Sequence, residues 1–146
     1  MSAEAREVNA AVITGAARRT GLEVAKLLGA AIANIVSING MIGIGRASAY
    51  GVAKAGSISL TRSIAVEHAV DGIRCNAMAP AWTETRLLDG LSDAERERRI
   101  ERIPQRRFAG VREVAAAVVF LGTSASSYVN GHMIPADGGY LALGAA

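Results

Sequence analysis

Tyr50 and Lys54 stand four residues apart, and Ser37 precedes the tyrosine by thirteen. Side chains at i and i+4 share one face of a helix, so this spacing places a phenol beside an ammonium. The ammonium stabilises the phenolate, and a hydroxyl at Ser37 can polarise a carbonyl. Such a trio can move a proton while a hydride moves elsewhere. A Tyr-x-x-x-Lys pair alone is equally what a helix edge with a solvated lysine presents, so the reading depends on the motifs that surround it.

Those motifs occur in a fixed order. Ala11-Val-Ile-Thr-Gly-Ala-Ala-Arg-Arg-Thr-Gly21 is a short apolar run, a glycine-containing turn and the start of a helix. That arrangement aims backbone N–H groups and a helix N-terminus at a phosphate. Gly72-Ile-Arg-Cys-Asn-Ala-Met-Ala-Pro80 follows the Tyr50/Lys54 pair, then Thr85, then Tyr128-Val-Asn-Gly-His-Met-Ile-Pro-Ala-Asp-Gly-Gly139. Taken together, from about Val8 to Leu141, the chain resembles the short-chain dehydrogenase/reductase family, and most closely its 3-oxoacyl-carrier-protein reductase and polyol or sugar dehydrogenase branches.

The resemblance implies a role for each matching residue. Tyr50 is the general acid/base, Lys54 supports its ionisation and holds the nicotinamide ribose, and Ser37 orients the substrate oxygen. Gly15, Arg18, Arg19 and Gly21 form the cofactor turn, with Pro80 and Thr85 meeting the nicotinamide end. The implied cofactor is NADP or NAD, and the implied substrate is a small alcohol or carbonyl compound. Three departures stand out. Arg19 occupies the place of the middle glycine, where a Cβ obstructs close approach of backbone to pyrophosphate. Ala81 replaces the glycine usual after Pro80. The residue that chooses between NAD and NADP, and the asparagine of the family's proton relay, have no counterpart here.

Those counterparts fall in a missing stretch. Leu22-Glu-Val-Ala-Lys-Leu-Leu-Gly-Ala30 runs straight into Ala31-Ile-Ala-Asn-Ile-Val-Ser-Ile38. The family has three further strand–helix units at that point, about 90 residues at roughly 30 per unit. Joining the first helix directly to the serine-bearing strand on its usual face gives a left-handed crossover, which parallel sheets avoid. The expectation is that this helix moves to the opposite face and that the reversal of strand order, which normally forms the dinucleotide crevice, is lost.

The remaining pattern alternates strands and helices. Strands are expected near Val8–Thr14, Ile32–Ile38, Ile73–Ala79 and His132–Ala136. Helices are expected near Gly21–Leu28, Ala49–Val70, just after Ser92, and Arg112–Leu121, with a glycine-rich loop over Gly40–Arg46. The fold class is α/β: a truncated Rossmann-like parallel sheet of about four strands with helices on its faces, in one domain over residues 1–146.

Composition narrows the function classes. A 51% hydrophobic, 20% charged chain suits an ordinary globular core. The net charge of +3 suggests nucleic acid, but the basic residues of Asp93–Ile103 alternate with glutamates at helical spacing and aromatics are only 4%. That reads as a solvated helix with i,i+4 pairs and offers no stacking platform. No run approaches the ~18 apolar residues of a membrane span, so a cytoplasmic protein without nucleic-acid or membrane partners is expected. Cys75 is expected as a packed thiol, Asn76 as support for a strand end, and His68 and His132 as structural or surface residues. The helix over Ala49–Val70 exposes Val52, Ala55, Ile58, Ala65 and Ala69 unless a second copy covers them, so a homo-oligomer is expected. Three readings remain: an NAD(P)-dependent oxidoreductase, a catalytically impaired remnant serving as a dimerisation or interaction module, or a longer physical protein that includes the missing middle units.

Overall fold

The computed structural model describes residues 10–11 and 31–143. Within them, four strands form one sheet in the order of the chain: β1 (Ala10–Ala11), β2 (Ala31–Ile35), β3 (Arg74–Pro80) and β4 (Met133–Ala136). Every neighbouring pair is parallel, with Ile32 opposite Cys75 and Met78 opposite Ile134. The expected loss of strand-order reversal is therefore present. The handedness of the β1-to-β2 crossover and the helix expected at Gly21–Leu28 lie outside the described residues.

Among the described residues there are three helices, α1 (Ser48–Glu67), α2 (Asp93–Glu101) and α3 (Val111–Gly122), of which α1 and α3 pack on the sheet. Alternation along the strands decides which helix packs where, because successive side chains point to opposite faces. Ile32 and Cys75 pack with Ile64 and Ala65 of α1. On the opposite face, Ala33 of β2 and Met78 of β3 pack with Leu121, Val114 and Val118 of α3. β2 and β3 are packed on both faces, which explains why they read as continuous apolar runs rather than as alternating ones.

Polar side chains inside this core are all partnered. Asn76 is fully buried and donates to the Val129 carbonyl at 2.8 Å, while its carbonyl oxygen accepts the His132 N–H at 3.0 Å. It thus ties β3 to the approach of β4, the supporting role expected of it. Arg74 similarly donates to Ser126 Oγ and to the carbonyls of Thr123 and Val129. Burial lowers its pKa. Cys75 is a buried free thiol that accepts from Asn34 Nδ2 at 3.6 Å, and burial pushes its pKa up to about 11. His68 pairs with Asp71 at 2.9 Å just beyond α1, and His132 is exposed.

Two element boundaries differ from the sequence expectation. The strand expected over Ile32–Ile38 stops at Ile35, because Ser37 caps a short 3-10 turn at Ile38–Gly40 and accepts the Asn39 N–H. The helix expected to Val70 stops at Glu67, followed by a second 3-10 turn over Ala69–Asp71. Gly72, at φ 73°, then reverses the chain into β3, a left-handed conformation that glycine adopts without a Cβ clash.

The polar helix also differs from expectation. Its start is as the sequence implies: Ser92 and Glu95 form a reciprocal capping box, and the Ser92 hydrogen bonds hold the Glu95 carboxyl below its ordinary pKa. Its arginines, however, do not all face solvent. Arg96, Arg99 and Arg102 lie over the rings of Phe108, Trp82 and Tyr140, at 5.0, 4.7 and 5.7 Å from the centroids. Arg96 also pairs with Glu84 at 2.6 Å rather than with a glutamate of its own helix. Long arginine stems cover apolar surface while their guanidinium planes sit on aromatic faces, so one side of α2 docks on the domain.

Candidate active site

Ser37 follows β2, and residues 81–85 follow β3, so both segments emerge at the carboxyl ends of the parallel strands. Open α/β sheets bind ligands at that edge. Helix α1 brings its first two turns to the same place, carrying Tyr50 and Lys54. Ser37, Tyr50 and Thr85 line one cleft of about 180 Å³. Lys54 sits behind it: Nζ lies 5.5 Å from the Tyr50 ring centroid and donates to the Ile35 carbonyl at 3.1 Å.

The hydroxyl of Ser37 has a defined polarity. Its oxygen accepts the Asn39 backbone N–H at 3.2 Å, so its own proton is available to point elsewhere. Ser37 is nearly buried and Tyr50 is 49% exposed, so the phenol meets incoming molecules while the serine stays fixed. What fixes it is Gly40. A Cβ on Gly40 would lie 2.8 Å from the Lys54 carbonyl carbon and 2.9 Å from the Ala55 nitrogen, so the turn bearing Ser37 rests directly on the backbone of α1. Gly43 and Gly45, in the same glycine-rich stretch, have no such neighbours.

The opposite wall is braced by a strand-like pairing. Ala109 N–H bonds to the Trp82 carbonyl at 2.9 Å and Glu84 N–H to the Ala109 carbonyl at 2.9 Å, with Thr83 and Ala109 bridged in parallel. Pro80 ends β3 immediately before this wall. Near its base, Arg107 grips Glu113 through both guanidinium nitrogens at 2.7 Å. Glu113 also accepts the Gly110 N–H at the start of α3. The Arg107 hydrogen bonds hold its carboxyl down to a pKa of about 2.

Sequence reasoning missed three contributors: the Asn39 amide on Ser37, the Ile35 carbonyl on Lys54, and Trp82 as a wall. A serine followed by Ile-Asn-Gly is compatible with a capped turn, but the partners of Lys54 and Trp82 come from distant segments and leave no local signal. Gly15, Arg18, Arg19 and Gly21 lie outside the described residues. Among the described residues there is no cluster of metal-ligating side chains and no helix long and apolar enough to cross a membrane.

The enoyl-(acyl carrier protein) reductase family model matches residues 3–141. This chain belongs to the short-chain dehydrogenase/reductase family. Within that family it is 45% identical over 113 residues to cis-4-hydroxycyclohexanecarboxylate dehydrogenase of Sinomonas cyclohexanicum, covering 77% of this chain and 45% of that protein. It is 41% identical over 108 residues to 3-oxoacyl-[acyl-carrier-protein] reductase of Thermotoga maritima, covering 74% and 44%. A gluconate 5-dehydrogenase from Burkholderia cenocepacia, solved with NADP and tartrate, superposes with a TM-score of 0.81 at 28% identity over 86% of this chain and 51% of that one. The chain thus spans about half the length of the short-chain dehydrogenases it matches, in keeping with the missing strand–helix units. These relatives are named as dehydrogenases and reductases.

Proposed function

We propose that the chain carries the reaction centre of an NAD(P)-dependent oxidoreductase that interconverts an alcohol and a carbonyl compound. The observation that supports this most is the convergence of Ser37 and Tyr50 on one small cleft, with the Lys54 ammonium against the Tyr50 ring. In the reductive direction Tyr50 gives its phenolic proton to the carbonyl oxygen as the carbon gains a hydride, leaving an alcohol and a phenolate. Lys54 stabilises that phenolate electrostatically. Ser37 donates its hydroxyl proton as a hydrogen bond to the same oxygen and holds it in place. In the oxidative direction the phenolate takes the alcohol proton back.

A nicotinamide, when bound, supplies or accepts the hydride. At the nicotinamide end the described residues suit such a group, although the strand-order reversal that forms the family's dinucleotide crevice is absent from the described sheet. Lys54 has three donors and uses one on Ile35 O, leaving others for ribose hydroxyls. Thr85 lines the cleft with a hydroxyl for the carboxamide. By the family resemblance the turn over Gly15, Arg18, Arg19 and Gly21 would meet the pyrophosphate, with Arg19 standing where the family's middle glycine admits its close approach.

Titration of the purified chain with NADH and NADPH, followed by ketone reduction in wild type and Tyr50→Phe, tests the assignment. The expected result is saturable cofactor binding and turnover that disappears in Tyr50→Phe while the fold persists. Turnover retained in that variant excludes the role given to Tyr50, and absence of cofactor binding excludes the oxidoreductase reading.

A further inference from the structure

The polar groups of the reaction cleft are held by β2, the turn that follows it and α1. The Asn39 N–H meets the Ser37 oxygen at 3.2 Å, and the Ile35 carbonyl holds the Lys54 ammonium at 3.1 Å. The turn lies on α1 at two points: a Cβ on Gly40 would stand 2.8 Å from the Lys54 carbonyl carbon, and one on Gly51 would stand 3.0 Å from the Asn39 carbonyl oxygen. None of these supports comes from the turn over Gly15–Gly21, where the family resemblance puts the pyrophosphate. The reversal of strand order that forms a dinucleotide crevice is absent from the described sheet. The two hydroxyls and the ammonium are therefore positioned for a carbonyl compound by contacts that need no nucleotide.

Two hydroxyl donors on one carbonyl oxygen do more than orient it. The Ser37 proton is available because its oxygen already accepts the Asn39 N–H, and the Tyr50 phenol lines the same cleft. Fixed donors stabilise the negative charge that a carbonyl oxygen gains when the adjacent carbon loses a proton, and one such donor is worth on the order of 100-fold or more in rate. The Lys54 ammonium, 5.5 Å from the Tyr50 ring centroid, stabilises the phenolate left when the phenol gives its proton away. None of the described residues lining the cleft is a carboxylate or an imidazole, so the acceptor for a carbon-bound proton is water. Tyr50 is half exposed, and water reaches it.

We propose that this cleft has a second activity that uses no nicotinamide: enolisation of a small ketone, which exchanges the ketone's α-hydrogens with solvent. The α C–H bond breaks, its electron pair becomes the C=C bond, and its proton passes to water. The carbonyl π pair takes the phenolic proton of Tyr50 as the enol O–H bond forms, while Ser37 stays hydrogen-bonded to that oxygen. The hydronium ion returns a proton to the Tyr50 phenolate. In the reverse direction the C=C pair takes a proton from solvent and the ketone is restored. Nothing is oxidised or reduced, and water is the sole co-reactant. The activity rests on the same binding of a carbonyl by Ser37 and Tyr50 as the oxidoreductase reading, without the hydride.

The test follows the α-CH2 proton signal of cyclohexanone by NMR in heavy water near neutral pD, with the purified chain, with buffer alone, and with no nicotinamide added. Positioned acid catalysis contributes ~100-fold or more, so wild type is expected to exchange the α-hydrogens at least tenfold faster than buffer. Tyr50→Phe and Ser37→Ala should each fall back to within about twofold of the buffer rate. Ser37→Ala also removes the cap of the turn, whereas Tyr50→Phe deletes one oxygen from a half-exposed ring, so the second variant keeps the test valid if the first disturbs the fold. Circular dichroism reports the fold of both. Wild-type exchange no faster than buffer, or undiminished exchange in either folded variant, overturns the inference. Reduction of cyclohexanone by NADH or NADPH is assayed in parallel. Reduction without exchange overturns the inference and leaves the oxidoreductase reading, while exchange without cofactor binding supports the inference and removes that reading.

Discussion

Replacing Gly40 by alanine should loosen the whole reaction centre, because it inserts a Cβ between the Ser37 turn and helix α1. The new carbon would stand 2.8 Å from the Lys54 carbonyl carbon, 2.9 Å from the Ala55 nitrogen and 2.9 Å from Ile58 Cδ1. Two of these are helix backbone and cannot step aside. Restoring ordinary contact at 3.4 Å requires a retreat of at least 3.4 − 2.8, or about 0.6 Å. Overpacking of this kind costs about 1–3 kcal/mol. Alanine reduces the entropy of the unfolded chain and returns ~0.4–1 kcal/mol. The net loss is therefore ~1–2 kcal/mol, and with a denaturant slope of ~1–3 kcal/mol per M the urea midpoint should fall by about 1 M.

Function should suffer more than stability. The retreating turn carries Ser37 away from Tyr50, and a misplacement of about 1 Å costs on the order of 100-fold in rate. A shift of little more than half that distance should cost about tenfold. Gly56→Ala serves as the matched control, since Gly56 is inside α1 with open space where the Cβ would go. That change should stabilise the chain by up to ~1 kcal/mol through helix propensity alone. Urea unfolding followed by circular dichroism reads both. A Gly40→Ala midpoint equal to or above wild type would refute the claim that the turn rests on the α1 backbone.

Acid sensitivity should report the Arg107–Glu113 clamp. The Glu113 carboxyl ionises at about 2 in the folded chain against an ordinary 4.5, so its contribution is complete above 4.5 and fades as pH falls towards 2. Glu113→Gln should flatten that limb of the stability profile in thermal melts at graded pH, and an unchanged limb would remove the clamp from the account. Cys75 behaves oppositely: its folded value of about 11 lies above the ordinary 9.0, so stability is intact below 9 and declines as pH rises towards 11. The native thiol should resist alkylation at pH 8 and react once urea exposes it; rapid labelling of the folded chain would contradict the burial. On α1, Ile58 and Ala65 pack inward, whereas Val52, Ala55 and Val66 stay on the surface, with Val52 74% and Val66 80% exposed. We therefore propose self-association through this helix. Light scattering should show a dimer or larger species that Val52→Glu shifts towards monomer, and a wild-type monomer across micromolar concentrations would end the proposal.

Among the described residues, the sequence alone was sufficient for the kind and order of the elements, and it was sufficient for the family. Apolar runs, the capping box at Ser92 and the Tyr50/Lys54 spacing are local patterns, and local patterns set helices, strands and the face each side chain occupies. The ordered motifs carried the resemblance, and the absence of three strand–helix units already implied that strand order would not reverse. Tertiary structure decided everything that depends on contact between distant segments. It stopped β2 at Ile35 by capping a turn with Ser37, and it laid that turn on α1 through Gly40. It also laid Arg96, Arg99 and Arg102 over the rings of Phe108, Trp82 and Tyr140. Spacing in the chain orders residues along an element, but which atoms of another element they meet is determined by packing, and packing alone brought Trp82 into the lining of the cleft that holds Ser37 and Tyr50.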